Sequence, residues 1–198
     1  MELKLLRIKT MLKQLTNLTL SSTAIALGIF LSGTGVIMPA VARELPNGQS
    51  IFDRSPRLVR SAANFEAPGL PRPTYQFTIS VPEDAGAPLK AVTIAQPENA
   101  QKIDFKVNLS SAFIGNSFAG GPAVSLASIG GEQPAKSNEV TIAFDPPVAP
   151  GKTVTVALTA DRNPFPGGIY LFGVTAFPPG ENSSGLFLGY GRLHLDSD

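Results

Sequence analysis

Short runs of strictly alternating apolar and polar residues constrain this chain more than any other feature. In "YQFTISV", Tyr75, Phe77, Ile79 and Val81 fall on one parity, and Gln76, Thr78 and Ser80 on the other. Successive side chains of a strand point to opposite faces, so a period of two predicts strands with one buried face. The pattern recurs. Val92 and Ile94 flank Thr93 in "KAVTIAQ", and Ile103, Phe105, Val107 and Leu109 alternate through "IDFKVNL". Val140, Ile142 and Phe144 alternate in "EVTIAF", and Val154, Val156 and Leu158 in "TVTVALTA". "AVSLASI" is a weaker example. Half-buried alternation of this kind marks antiparallel sheet with one wet face.

Between the runs lie Pro, Gly and Asn clusters: "PEDAGAP", "QPENAQ", "GNSFAGG", "GGEQPAKSN", "DPPVAPG" and "DRNPFPGG". Strands at close spacing separated by such turns predict an all-β antiparallel sandwich of about seven to nine strands, immunoglobulin-like, with a jelly roll as the alternative. The only helical signal is one short turn at "PENAQK", where Asn99 can cap. One run breaks the alternation. In "IYLFGVTAF", Ile169, Leu171 and Phe177 share one parity, and Tyr170, Phe172, Val174 and Ala176 the other. Apolar residues on both parities predict a strand buried on both sides, the centre of the core. Gly173 in its middle predicts a bulge or a close approach of another segment.

Residues 1–42 stand apart as a signal peptide. Lys4, Arg7, Lys9 and Lys13 form a basic start, "AIALGIFL" an apolar middle, and Ala40 and Ala42 an A-x-A site before Arg43. The rival reading is an uncut anchor over residues 18–38, interrupted by Ser, Thr and Gly. Cleavage after Ala42 leaves 156 residues with 12 basic and 14 acidic side chains, enough for one domain. Residues 43–73 read as a solvated N-terminal arm carrying five Arg and one short strand near Leu58, and residues 74–198 as the sandwich body. The near-balanced charge argues against a nucleic-acid partner. The absence of Cys removes thiolate chemistry, Cys-based metal sites and a lipoprotein anchor.

The chemical motifs are weak. "PVAPGKT" mimics the end of a phosphate loop, but Pro146 stands where the first Gly belongs and a strand follows the Thr. Pro150 and Gly151 instead suit the two centre positions of a type II turn. "GNSFAGG" approaches a nucleophile elbow, with Ala119 in place of the second Gly. A hydrolase would need Ser117 with His194, the sole histidine. Metal handling would fall to His194 or to loop oxygens at Glu83-Asp84, Asp161-Asn163 and Glu181-Asn182, none at calcium-loop spacing. Tyr190, Arg192 and His194 share one strand face opposite Leu193 and Leu195. They form a candidate binding stripe, or an ordinary solvated face.

The blocks "VPEDAGAPLKAVTIAQPEN", "FDPPVAPGKTVTVAL", "RNPFPGGIYLFGVTAFPPGE" and "FLGYGRLHL", with "SPRLV" upstream, resemble the signature of a cyanobacterial family of exported proteins catalogued as a domain of unknown function, DUF2808. The resemblance runs over residues 52–195. It implies a small exported protein of a photosynthetic bacterium and brings no reaction, ligand or catalytic residue with it. The expectation is a non-enzymatic exported module that binds another envelope component or a small ligand, with no cofactor. Membrane contact is expected only through the leader. The destination is the periplasm, the medium or the thylakoid lumen.

Overall fold

The computed structural model describes residues 43–46, 49–97, 101–116, 120–129 and 139–196. The leader with Ala42, Asn99 and Ser117 lie outside the described residues. Among those described there are eleven strands and one 3-10 turn, and no helix long and apolar enough to cross a membrane.

The strands are β1 (Arg43–Glu44), β2 (Ser50–Ile51), β3 (Arg57–Ala63), β4 (Thr74–Ser80), β5 (Leu89–Ala95) and β6 (Ser111–Ile114). They continue as β7 (Leu126–Ile129), β8 (Glu139–Val148), β9 (Thr153–Thr159), β10 (Gly168–Phe177) and β11 (Leu186–Leu195). β1 and β2 form a small hairpin sheet. The other nine make two antiparallel sheets, ordered β3-β4-β9-β6 and β11-β10-β5-β8-β7. An immunoglobulin domain places strands A-B-E-D in one sheet and C-F-G in the other. Here β3, β4, β9 and β6 take the A-B-E-D order, and β5, β10 and β11 the C-F-G order. β7 and β8 are inserted between D and E, and they extend the second sheet from the free side of β5.

The alternating runs supply the core. Register pairs Tyr75 with Leu158, Phe77 with Val156 and Ile79 with Val154 in the first sheet. In the second it pairs Val92 with Ile142 and Ala176, and Ile94 with Val140 and Val174. All are buried. A one-residue slip would turn each set to solvent, so burial fixes the register. Phe172 joins the layers, its ring centroid 5.5 Å from Phe77 and 5.8 Å from Tyr75. Turn chemistry holds where it was expected. Gly151 has φ of 77°, and the Lys152 N–H donates to the Ala149 carbonyl at 3.3 Å across Pro150-Gly151.

Four expectations change. "IDFKVNL" is not a strand. Ile103 and Phe105 still turn inward, but the Gln96 side-chain amide takes both the N–H and the C=O of Ile103, at 3.0 and 2.9 Å. The chain then coils into a 3-10 turn at Val107–Leu109. A side chain thus takes the place of a strand neighbour at Ile103, and backbone pairing is reduced to one bridge between Phe105 and Ala160. Next, the arm is not solvated throughout. Ser50 is buried, its carbonyl accepts from Ser184 N–H, and Asp53 N–H donates to the Ala85 carbonyl. Third, the outer face of β4 and β9 is not wet throughout. Gln76, Thr78 and Thr155 are buried. Thr155 donates its hydroxyl to the Gly115 carbonyl at 2.7 Å, so Thr78 is the donor in the 2.9 Å Thr78–Thr155 pair. Fourth, β10 is not buried on both sides, and β5 rather than β10 is the middle strand of its sheet.

Candidate functional site

β10 and β11 form a long hairpin whose inner face is core and whose outer face is open. Phe172, Val174 and Ala176 point inward from β10, and Leu193 and Leu195 from β11. Cross-strand register sets Ile169 beside His194, Leu171 beside Arg192 and Gly173 beside Tyr190. The sequence placed Tyr190, Arg192 and His194 on one face, and all three are exposed there. It did not place Ile169 and Leu171 with them. Both are exposed, Ile169 at 52% and Leu171 at 39%.

A bulge completes the face. Val174 pairs with Gly189, but Thr175 pairs with Phe187, so Leu188 is an extra residue in β11 and Gly189 takes φ of 123°. Phe187 and Tyr190 are three positions apart, and simple alternation would put them on opposite faces. The bulge brings both outward. Their rings meet edge to face with centroids 5.2 Å apart. They lie over Gly173, where an added Cβ would come 3.3 Å from Phe187 Cε2 and 3.6 Å from Tyr190 Cε1. The expected close approach at Gly173 is therefore made by two aromatic rings, while the bulge sits in the partner strand.

Away from this ridge the outer face is low. Gly173 and Thr175 pair with Ala95 and Thr93 of β5. Thr93 shares a 2.7 Å hydroxyl hydrogen bond with Thr141 of β8. Beside Ile169 and Leu171 an open groove of about 440 Å³ is lined also by Pro97, Gln101, Pro166 and Gly168. Tyr170 faces the other way. It is half-buried, donates its hydroxyl to the Pro166 carbonyl at 2.8 Å, and burial holds its pKa above the ordinary tyrosine range.

This arrangement can hold an apolar or planar surface against Ile169, Leu171 and the aromatic pair, with Arg192 and His194 supplying polar groups at its margin. Among the described residues no group of three or more His, Asp or Glu is placed to hold a metal ion. His194 stands on an exposed strand face. Gly151 of "PVAPGKT" belongs to the turn that carries the chain from β8 in one sheet to β9 in the other.

A family model described as a protein of unknown function (DUF2808) matches residues 49–195. No curated protein matches. Among solved structures, one containing manganese lipoxygenase of Gaeumannomyces graminis and part of zonadhesin of Komagataella pastoris matches at 9% identity with TM-score 0.42, covering 72% of this chain and 50% of that one. A collagen-binding domain from a Staphylococcus aureus adhesin matches at 8% identity with TM-score 0.34, covering 63% of this chain and 88% of that one. The C-terminal domain of the Streptococcus pyogenes antigen I/II-family protein AspA matches at 12% identity with TM-score 0.36, covering 76% of this chain and 44% of that one. This chain thus spans less than two thirds of the first and third. Likenesses of this size carry no inference of function.

Proposed function

We propose that this chain, which belongs to the DUF2808 family of proteins of unknown function, is an exported, non-enzymatic binding module of a cyanobacterial cell envelope. The outer face of β10 and β11 is its binding face. One observation carries the reading: Ile169, Leu171, Phe187 and Tyr190 are exposed and contiguous in register, with Arg192 and His194 at their margin. Scattered exposed apolar residues need no explanation, but a contiguous patch with a polar border is the anatomy of a contact surface. Aromatic residues and Arg are the side chains that most often dominate such contacts. The leader-like residues 1–42 support export, and the family resemblance supports the bacterial source.

The test is affinity capture from envelope extracts, comparing the parent with Leu171→Glu and with Tyr190→Ala. The expected outcome is a component retained by the parent and lost from both variants, whose thermal unfolding stays close to that of the parent. Retention of the same components by all three proteins would mean that the contact lies elsewhere.

A further inference from the structure

β10 outruns its neighbour β5, and the excess leaves part of its edge open. β11 pairs with β10 from Gly168 to Ala176, whereas β5 pairs with it only from Gly173 to Phe177. Alternate residues of an antiparallel strand direct their N–H and C=O groups to the same edge. The stretch from Gly168 to Leu171 therefore turns peptide groups toward the line that β5 would have followed. Among the described residues, the backbone of that stretch is bonded across β11 alone.

The sequence explains why β5 stops short. Ala95 is its last residue and pairs with Gly173. Beyond it the Gln96 side chain holds the backbone of Ile103, and Pro97 has no N–H to give a ladder. The chain turns away, and the groove of about 440 Å³ lies beside the stretch of β10 left without a neighbour. Its lining shows that it follows an edge and not a face. The unbroken run from Pro166 to Leu171 borders it, and a strand offers successive residues of both parities to one groove only from its edge. Pro97 and Gln101, from the chain that β5 continues into, complete the wall.

We propose that this edge receives an extended peptide segment of a partner protein, which adds to the sheet as a short strand in the line of β5. The open peptide groups select the occupant. They are donors and acceptors at the spacing of a strand, and the backbone of another strand complements them along the whole edge. Apolar surface alone would not make that choice. A peptide antiparallel to β10, as β5 is, sets alternate side chains beside Ile169 and Leu171 on the outer face. Both are exposed, so those two peptide positions favour aliphatic or aromatic residues. At the rise of a strand the open stretch admits about four or five residues. This deepens the binding-face reading by naming the form of the partner, and it rests on the Ile169–Leu171 end of that face. The two can fail apart, because Gln101 and Pro166 border the groove and do not belong to the Phe187–Tyr190 ridge.

The probe is a phage-displayed library of random linear peptides, panned on the protein as its cells accumulate it. The expected result is enriched peptides with apolar residues two positions apart. Their binding should weaken several-fold for Gln101→Trp and for Pro166→Trp, each of which sets an indole at the groove, and should change little for Tyr190→Ala. Gln101 and Pro166 are exposed, so both variants should melt close to the parent. N-methylating a bound peptide one amide at a time should weaken it at alternate positions, since every second N–H faces β10. Residue-resolved amide exchange should slow at alternate residues from Gly168 to Phe172 when that peptide is added. No enrichment over a surface without protein overturns the proposal. Peptides lost with Tyr190→Ala but kept by both groove variants overturn it and leave the wider face in force. Peptides that pass these tests, while envelope capture is unchanged by Tyr190→Ala, uphold the edge and remove the wider face. Equal tolerance of N-methylation at every position overturns the proposal, because side chains and not the backbone would then be recognised. Slowed exchange at the same amides in the protein alone, growing with its concentration, also overturns it, because a second copy of this chain would then hold the edge.

Discussion

Tyr75 shows how one residue can serve both the core and a loop. Its ring is buried against Phe172, and its hydroxyl donates to Asn163, which in turn holds the carbonyls of Phe65 and Ala67. Burial, with a smaller contribution from Tyr170, pushes its pKa above the ordinary tyrosine range. The unfolded chain ionises this phenol near pH 10 and the native protein above it, so the native state holds the proton longer. The stability linked to this group is full below about pH 10 and is lost as pH rises through the higher native pKa. Urea unfolding should therefore show the parent losing stability more steeply above about pH 10 than Tyr75→Phe, by up to ~1.4 kcal/mol per pH unit. The variant should itself cost about 1–3 kcal/mol at neutral pH, because Asn163 loses its donor. Equal slopes in the two proteins would place the phenol outside the linkage. The apolar parity of Tyr75 was legible in the sequence. Its hydrogen bond to a residue 88 positions away was not.

At the scale of the element, β10 is the instructive strand. Its composition is apolar on both parities, yet only Phe172, Val174 and Ala176 are covered, while Ile169 and Leu171 stay open. Alternation alone assigns two faces but cannot say which one a second layer will cover when both are apolar. Phe172→Ala should cost about 3–5 kcal/mol in urea unfolding, since its ring touches Tyr75, Phe77 and Phe105. Leu171→Ala should cost under about 1 kcal/mol. Equal costs would show that the outer face is covered and would remove the candidate site. The far side of the hairpin is finished by β3 rather than by a further strand. Ser61 Oγ accepts from the Arg192 N–H at 2.9 Å and donates to its carbonyl at 3.1 Å, so a side chain takes the free edge of β11. That contact blunts a long edge against pairing with another chain.

For the molecule as a whole, nine strands in two layers bury one contiguous core without a disulfide, and the chain has no Cys to make one. The described chain enters at one end, where Ser50 meets Ser183, and its last residues lie at the other, where Leu195 and Asp196 come near Gly167. The proposed export can be tested through an accident of composition. Every sulfur atom of the chain belongs to Met1, Met11 or Met38, all within the leader-like segment. Cleavage after Ala42 should release a product with no sulfur at all. In a pulse with radiolabelled methionine, the precursor should lose its label during the chase while antibody to the domain detects a smaller, unlabelled product. A labelled full-length band that persists in membranes would mean that the leader stays as an anchor.

The sequence by itself determined the all-β class, the antiparallel pairing, most strands and the turn at Pro150-Gly151. These depend on alternation and on the backbone limits of Pro and Gly, which act over a few residues. It also placed Tyr190, Arg192 and His194 on one face, because parity is local. Tertiary structure decided the rest. The insertion of β7 and β8 beside β5 is a choice among long-range pairings that local periodicity does not distinguish. The bulge at Leu188 brings Phe187 to the face of Tyr190 against simple alternation. The exposure of Ile169 and Leu171 follows from which side of β10 the other sheet covers. Burial is a property of what packs against a residue, and a strand with two apolar faces carries no record of which one is left open.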